Sequence, residues 1–344
     1  MLKTSTVMAT AIAAAIIGLC FSSPNAQAAR TTVPVQTQER AEGFVKIRDG
    51  RELYVDYLKP AAGQPVAILL NGLTYRTGCW DAFVKELQGK GLGILRYDPM
   101  GHGKTMVKYG YPTAPVDYKD QVADLASLIK VLKIKNPVHL VTLSYGGAIG
   151  MQYAVEYPAN VATLILMGPF VAPLESQDQW IKTQIMQTRI MFPLNRSTDD
   201  ELYDFFLKSI VYATYPSAEP IVLEHPFKLE ATFRLVQGVR RFHAVDITND
   251  LPDGKVHLVL ARQDQYVSND VHDVFWKQVP DSKKASRLYI QGSEHKIPEA
   301  VPHFSAEWVK LIIAGDPRLQ TGRTFEGGPW TGTATSGRTS ITIK

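Results

Sequence analysis

Ser144 sits in Thr142-Leu143-Ser144-Tyr145-Gly146, between the strand-forming run Val138 to Leu143 and a small-residue run that reads as helix from Gly147 to Tyr157. A serine hydroxyl attacks a carbonyl only when a base takes its proton and a third group orients that base. The pattern is that of a nucleophile elbow, G-x-S-x-G, whose glycines let strand and helix close around a strained serine. Gly146 and Gly147 meet that need. Thr142 stands where the first glycine is expected. The competing reading is a serine in a plain strand–helix turn.

For a serine so placed, the acid is sought after a later strand and the histidine after the last one. Asp264 directly follows the apolar run Val256–Ala261, and His295 follows Arg287–Ile290 through Gln291-Gly292-Ser293-Glu294. His139 and His257 lie within strands, His272 and His303 in helices, His225 and His243 in an insert, and His102 in a Gly-rich loop, so only His295 has the right element and order. Met167-Gly168-Pro169-Phe170 offers no competing acid, and Asp250 and Asp253 precede their strand. Acyl transfer also needs donors for the developing oxyanion. The backbone N–H groups of Tyr145, next to the nucleophile, and of Leu73, in the loop Asn71-Gly72-Leu73-Thr74, are the candidates.

The elements that would position these groups alternate. Phe44–Ile47 and Leu53–Tyr57 read as a hairpin about Asp49-Gly50. Strands are expected at Val66–Leu70, Ile94–Tyr97, Val138–Leu143, Val161–Met167, Val256–Ala261 and Arg287–Ile290. Helices are expected at about Cys79–Leu87, Tyr118–Leu132, Gly147–Tyr157, Asn269–Gln278 and Pro298–Ile313. Such alternation implies a doubly wound, mostly parallel sheet, an α/β fold. From 169 to 250 it is interrupted by three helices, the second opened by a Thr198/Glu201 capping box. This insert reads as a helical cap over the carboxyl ends of the strands. It is rich in aromatics: Phe192, Tyr203, Phe205, Phe206, Tyr212, Phe227, Phe233 and Phe242. The core is expected over 43–168 and 251–315. Segments 29–42 and 316–344 read as a mobile leader and a loose Gly/Thr-rich tail.

The chain has 344 residues, 45% hydrophobic and 20% charged, with a net charge of +4 that is scattered, so no basic stripe suggests nucleic acid. Lys3, the short apolar stretch Ala9 to Phe21 and Ala26-Gln27-Ala28 read as a signal peptide over 1–28, implying export to the periplasm or medium with no stable membrane span after cleavage. A membrane anchor is the competing reading, and the run is short for one. After cleavage one cysteine remains, Cys79, read as a packed residue rather than a nucleophile. "DPMGHGKT", Asp98 to Thr105, nearly matches a phosphate loop, but Asp98 replaces the first Gly and no clear helix is read at Lys104. No metal pattern or cofactor motif is present, and none is expected.

With these residues in place, the sequence resembles the α/β-hydrolase superfamily over roughly Phe44 to Ile313. Asn71-Gly72 stands where members often have His-Gly, and Asp98-Pro99-Met100-Gly101-His102-Gly103 looks like their structural Asp and Gly-x-Gly element. The resemblance implies a Ser144–Asp264–His295 serine hydrolase under a helical cap. Ser144 argues against the dehalogenases and epoxide hydrolases of the fold, which use Asp at the elbow. The reading is an exported esterase acting on a small-molecule carboxylic ester with an apolar acyl or alkyl group. The same triad serves a lactonase, thioesterase, C–C bond hydrolase or cofactor-free perhydrolase. A catalytically silent binding protein is the reading from another class, favoured by Thr142 and Asn71.

Overall fold

Strands buried on both faces show unbroken apolar runs, and Val66–Leu70 is buried at all five positions. The computed structural model describes residues 38–135, 137–218 and 228–343. The expected signal peptide over 1–28 and Phe227 lie outside the described residues.

Among the described residues eleven strands form one sheet: β1 (Arg40–Lys46), β2 (Glu52–Leu58), β3 (Val66–Leu70), β4 (Gly93–Asp98), β5 (Val138–Leu143), β6 (Val161–Met167), β7 (Val256–Ala261), β8 (Lys284–Ile290), β9 (Arg323–Gly328), β10 (Thr333–Ser336) and β11 (Thr339–Thr342). Their spatial order is β1-β2-β4-β3-β5-β6-β7-β8-β9-β10-β11. The run from β4 to β9 is parallel, and β1, β2, β10 and β11 are antiparallel. Alternate side chains serve two cores. Ile68, Leu140, Leu164 and Leu258 pack on one face with α3 (Tyr118–Val131), α4 (Tyr145–Glu156) and α8 (Asn269–Gln278). Leu69, Val141, Ile165 and Val259 pack on the other with α1 (Asp81–Leu87) and α10 (Pro302–Ile313). Cys79 is half-buried at the edge of the second core. The expected last helix is broken at Val301, because Pro302 pushes the residue before it out of the helical region; a single turn, α9 (Ile297–Ala300), precedes the break.

Two expectations need correction. The leader over 29–42 does not extend to 42: β1 starts at Arg40 and pairs with β2 from Arg40↔Leu58 to Lys46↔Glu52. It reads as polar because it is an edge strand whose Arg40 bonds Asp56 and whose Glu42 meets Lys104. The tail over 316–344 is not loose, since β9 to β11 extend the sheet beyond β8. Each supplies one fully buried apolar residue, Phe325, Ala334 and Ile341, too few per strand to mark a periodicity.

Among its described residues the insert carries three helices, α5 (Glu175–Met191), α6 (Asp199–Ala218) and α7 (Lys228–Val239). The capping box closes reciprocally: Thr198 N–H donates to Glu201 Oε2 at 2.7 Å, and Glu201 N–H to Thr198 Oγ1 at 3.2 Å. Among the described residues no helix is long and apolar enough to cross a membrane.

Candidate active site

Ser144 stands where β5 turns into α4, with φ 48° and ψ −114°. Positive φ is strained for a residue with a Cβ, so the surroundings must hold it. A Cβ on Gly146 would fall 2.5 Å from Leu70 O, and one on Gly147 would fall 2.6 Å from Pro169 Cβ. Thr142 is tolerated because α4 has Gly150 opposite it: a Cβ there would lie 2.6 Å from Thr142 Cγ2. The missing elbow glycine has in effect moved to the helix. Sequence reasoning missed Gly150, although the Thr itself was the signal.

Asp264 and His295 come together. His295 Nδ1 lies 2.7 Å from Asp264 Oδ2, and Asp264 Oδ1 accepts from the N–H groups of Tyr266 and Val267, both at 2.9 Å. Burial alone would raise the Asp264 carboxyl; the hydrogen bond and charge of His295, with those two amides, outweigh it and hold it below its usual range. An ionised carboxylate only accepts, so Nδ1 carries the proton and Nε2 is left as an acceptor. Gly168, at φ 45°, backs the pair: a Cβ would lie 3.4 Å from both Asp264 Oδ2 and His295 Nδ1. His272 Nε2, behind it, meets Pro169 O at 3.0 Å. Neither Gly168 nor His272 had been assigned a role from sequence.

Ser144, His295, Leu73 and Tyr145 line one cavity of about 270 Å3. The Tyr145 amide opens α4, where no intrahelical acceptor exists for it. The Leu73 loop is a tight turn, with Tyr75 N–H donating to Gly72 O at 3.1 Å and Thr74 at φ 70°. Asn71 faces the interior instead, donating to Tyr97 O at 3.1 Å and accepting from Trp80 Nε1 at 2.8 Å. The cap walls are chiefly aliphatic, from Ile181, Leu207, Val211, Val236 and Val239. Among the described cap aromatics Phe170 and Tyr203 line the cavity; Phe206 and Phe233 build the cap's own core, and Phe192 and Phe205 are exposed.

The phosphate-loop lookalike fails because Asp98 places a negative charge where phosphate would sit, although the expectation of no helix there is wrong. A helix does open there, α2 (Gly103–Tyr109). Its N-terminus is filled by the chain's own carboxylate: Asp98 accepts from Lys104 N–H at 2.8 Å and Thr77 N–H at 2.7 Å. Three other histidines are occupied elsewhere. His139 bonds Thr163, His257 bonds Ser286 and His303 bonds Glu86.

A family model described as serine aminopeptidase, S33, matches residues 63–299. Monoacylglycerol lipase ABHD6 of Homo sapiens is 29% identical over 120 residues, 35% of this chain and 34% of that protein. A non-heme haloperoxidase of Rhodococcus erythropolis is 25% identical over 146 residues, 41% of this chain and 50% of that one. The chain thus spans a third to a half of the length of these curated relatives. The solved structure of MGS-M2, an alpha/beta hydrolase enzyme from a Medee basin deep-sea metagenome library, superposes with a TM-score of 0.59 at 17% identity, over 80% of this chain and 98% of that one.

Proposed function

The chain belongs to the serine aminopeptidase S33 family of α/β hydrolases, and on that premise we propose that it is an exported serine esterase. The observation that carries this reading is the 2.7 Å Asp264–His295 bond at the cavity that Ser144 lines. Ser144 Oγ attacks the ester carbonyl carbon while His295 Nε2 takes its proton. The Leu73 and Tyr145 amides stabilise the oxyanion, each worth about 3–4 kcal/mol in the barrier. His295 returns the proton to the leaving alcohol, and Asp264 keeps the imidazolium oriented. Water, deprotonated by His295, then releases the acid.

The aliphatic walls favour an apolar acyl or alkyl group. The relative named as a monoacylglycerol lipase is in keeping with ester chemistry. Thr142 and Asn71, which would favour a silent binder, each have a structural accommodation in Gly150 and in the Tyr97–Trp80 bonds. Export is proposed from Lys3, Ala9 to Phe21 and Ala26-Gln27-Ala28.

The test exposes the protein and its Ser144→Ala variant to a fluorophosphonate probe, a p-nitrophenyl ester series and aminoacyl p-nitroanilides. Labelling and ester turnover, both lost in the variant, are expected. Labelling with anilide turnover alone would replace the esterase by a peptidase. No labelling of folded protein would refute a working triad. Cell fractionation and the N-terminus of the mature chain test export.

A further inference from the structure

The loops that carry Asp264 and His295 are tied to each other and to strands beyond the family match, which ends at residue 299. Arg262 N–H donates to Ile290 O and Gln263 N–H to Ser293 O, both at 3.0 Å, so backbone hydrogen bonds join the two loops. β9 then lies along β8, pairing Tyr289↔Glu326 and Ile290↔Gly327. The ladder runs one residue into the His295 loop, where Gln291 N–H donates to Gly327 O at 2.7 Å. The Glu326 side chain reaches both loops. Its Oε1 accepts from Arg262 Nε at 3.0 Å, two residues before Asp264, and from Gln291 Nε2, four residues before His295. Arg262 is fixed in turn by its guanidinium lying 3.7 Å from the centre of the Tyr289 ring. On the other side of the turn, Trp330 Nε1 lies 2.6 Å from where a Cβ on Gly292 would be, and Gly292 is at φ 70°. Trp330 is 87% exposed, so burial does not explain an indole laid across this backbone.

We propose that β9 and the turn after it form a brace that sets His295 against Asp264 and Ser144, with Glu326 and Trp330 as positioning residues. Glu326 joins the acid loop and the histidine loop through one carboxylate oxygen. Trp330 fills the space that Gly292 leaves open and limits how far the histidine loop can swing. Neither side chain lines the cavity, so neither needs to touch substrate. The proposal rests on the serine-hydrolase reading, and its test is chosen to be separable from it.

The full chain is compared with Glu326→Ala, Glu326→Gln, Trp330→Ala and Trp330→Phe. Two readouts are followed: kcat and KM on a p-nitrophenyl ester, and the downfield proton resonance of the His295 Nδ1–H, identified by its loss in Asp264→Ala. A histidine displaced by a fraction of an ångström to an ångström lowers kcat about ten- to hundredfold with KM unchanged. That loss is expected in both Ala variants, together with a broadened or absent Nδ1–H resonance. Glu326→Gln, whose amide oxygen still accepts, and Trp330→Phe restore most of both. Ala variants that fold and keep the wild-type kcat and resonance overturn the proposal. So does a kcat loss that the conservative variants fail to restore. If the protein turns over no ester, the resonance decides alone: its persistence in the Ala variants overturns the brace, and its loss there with return in Gln and Phe upholds it.

Discussion

Thr142 and Gly150 offer the sharpest test of how this elbow is packed. Gly150 lies in the interior of α4, where Gly→Ala ordinarily stabilises by about 0.5–1 kcal/mol. Here the new methyl would sit 2.6 Å from Thr142 Cγ2 and 3.3 Å from Leu164 Cδ1. The first distance is roughly 1 Å inside the usual carbon–carbon contact of about 3.5–4.0 Å. Overpacking of that kind costs about 1–3 kcal/mol. Gly150→Ala alone is therefore expected to destabilise by about 1–2 kcal/mol, the clash outweighing the propensity gain. In a Thr142→Gly background the clash is gone, and the same change is expected to stabilise by about 0.5–1 kcal/mol. The coupling between the two positions is the difference, about 1.5–3 kcal/mol. Urea unfolding of the wild type, both single variants and the double variant measures it from the shift in midpoint at constant m-value. Equal effects of Gly150→Ala in the two backgrounds would refute the claim that Gly150 makes room for Thr142.

Three further outcomes are expected. Asp264→Asn removes the acceptor that fixes the His295 tautomer and should lower kcat about 10⁴-fold on the ester series with the fold retained. Stability should fall on acidification in two stages, read as urea midpoint against pH. Burial lowers His139 to about 4 and His257 to about 3, so below an unfolded value of about 6.5 the unfolded chain binds protons that the folded one refuses, and His257→Asn should flatten this stretch. Asp264, held below its usual range, contributes stability above its unfolded pKa that is lost as pH falls through the lower folded value; Asp56 is held down in the same way beside Arg40 and Arg96, so Asp264→Asn should reduce but not abolish that second stage. Thr74→Gly relieves a β-branched residue at φ 70° and should raise stability by roughly 1 kcal/mol while lowering kcat by loosening the Leu73 loop, as seen in paired melting and turnover assays.

Much of this was legible because buried parallel strands must be apolar throughout. Val66–Leu70, Val138–Leu143 and Val256–Ala261 read directly from the chain, and β3, β5 and β7 carry the same bounds. With the strands placed, the order of the loops singled out Asp264 and His295, and the structure sets them 2.7 Å apart. What escaped notice lacks a periodic signal. β9 to β11 are short and bury one apolar residue each, and β1 is polar because its partners are charges. The α2 N-terminus was hidden because its cap, Asp98, comes from the preceding strand end and reads as a defect in a phosphate loop. Gly150 was missed because an isolated helical glycine does not itself name the side chain it faces, and the signal, Thr142, lies eight residues away on the strand.

Ser144 at φ 48° has a consequence for anyone improving this protein. A backbone held there by a residue with a Cβ stores about 1–3 kcal/mol, which glycine would release in large part. The most accessible stabilising substitution in the elbow is therefore the one that deletes the proposed nucleophile. If Ser144 is the nucleophile proposed above, a library screened for heat resistance alone will enrich inactive proteins at position 144. Selection has to demand turnover and survival in the same round, or the scaffold will harden by discarding its chemistry.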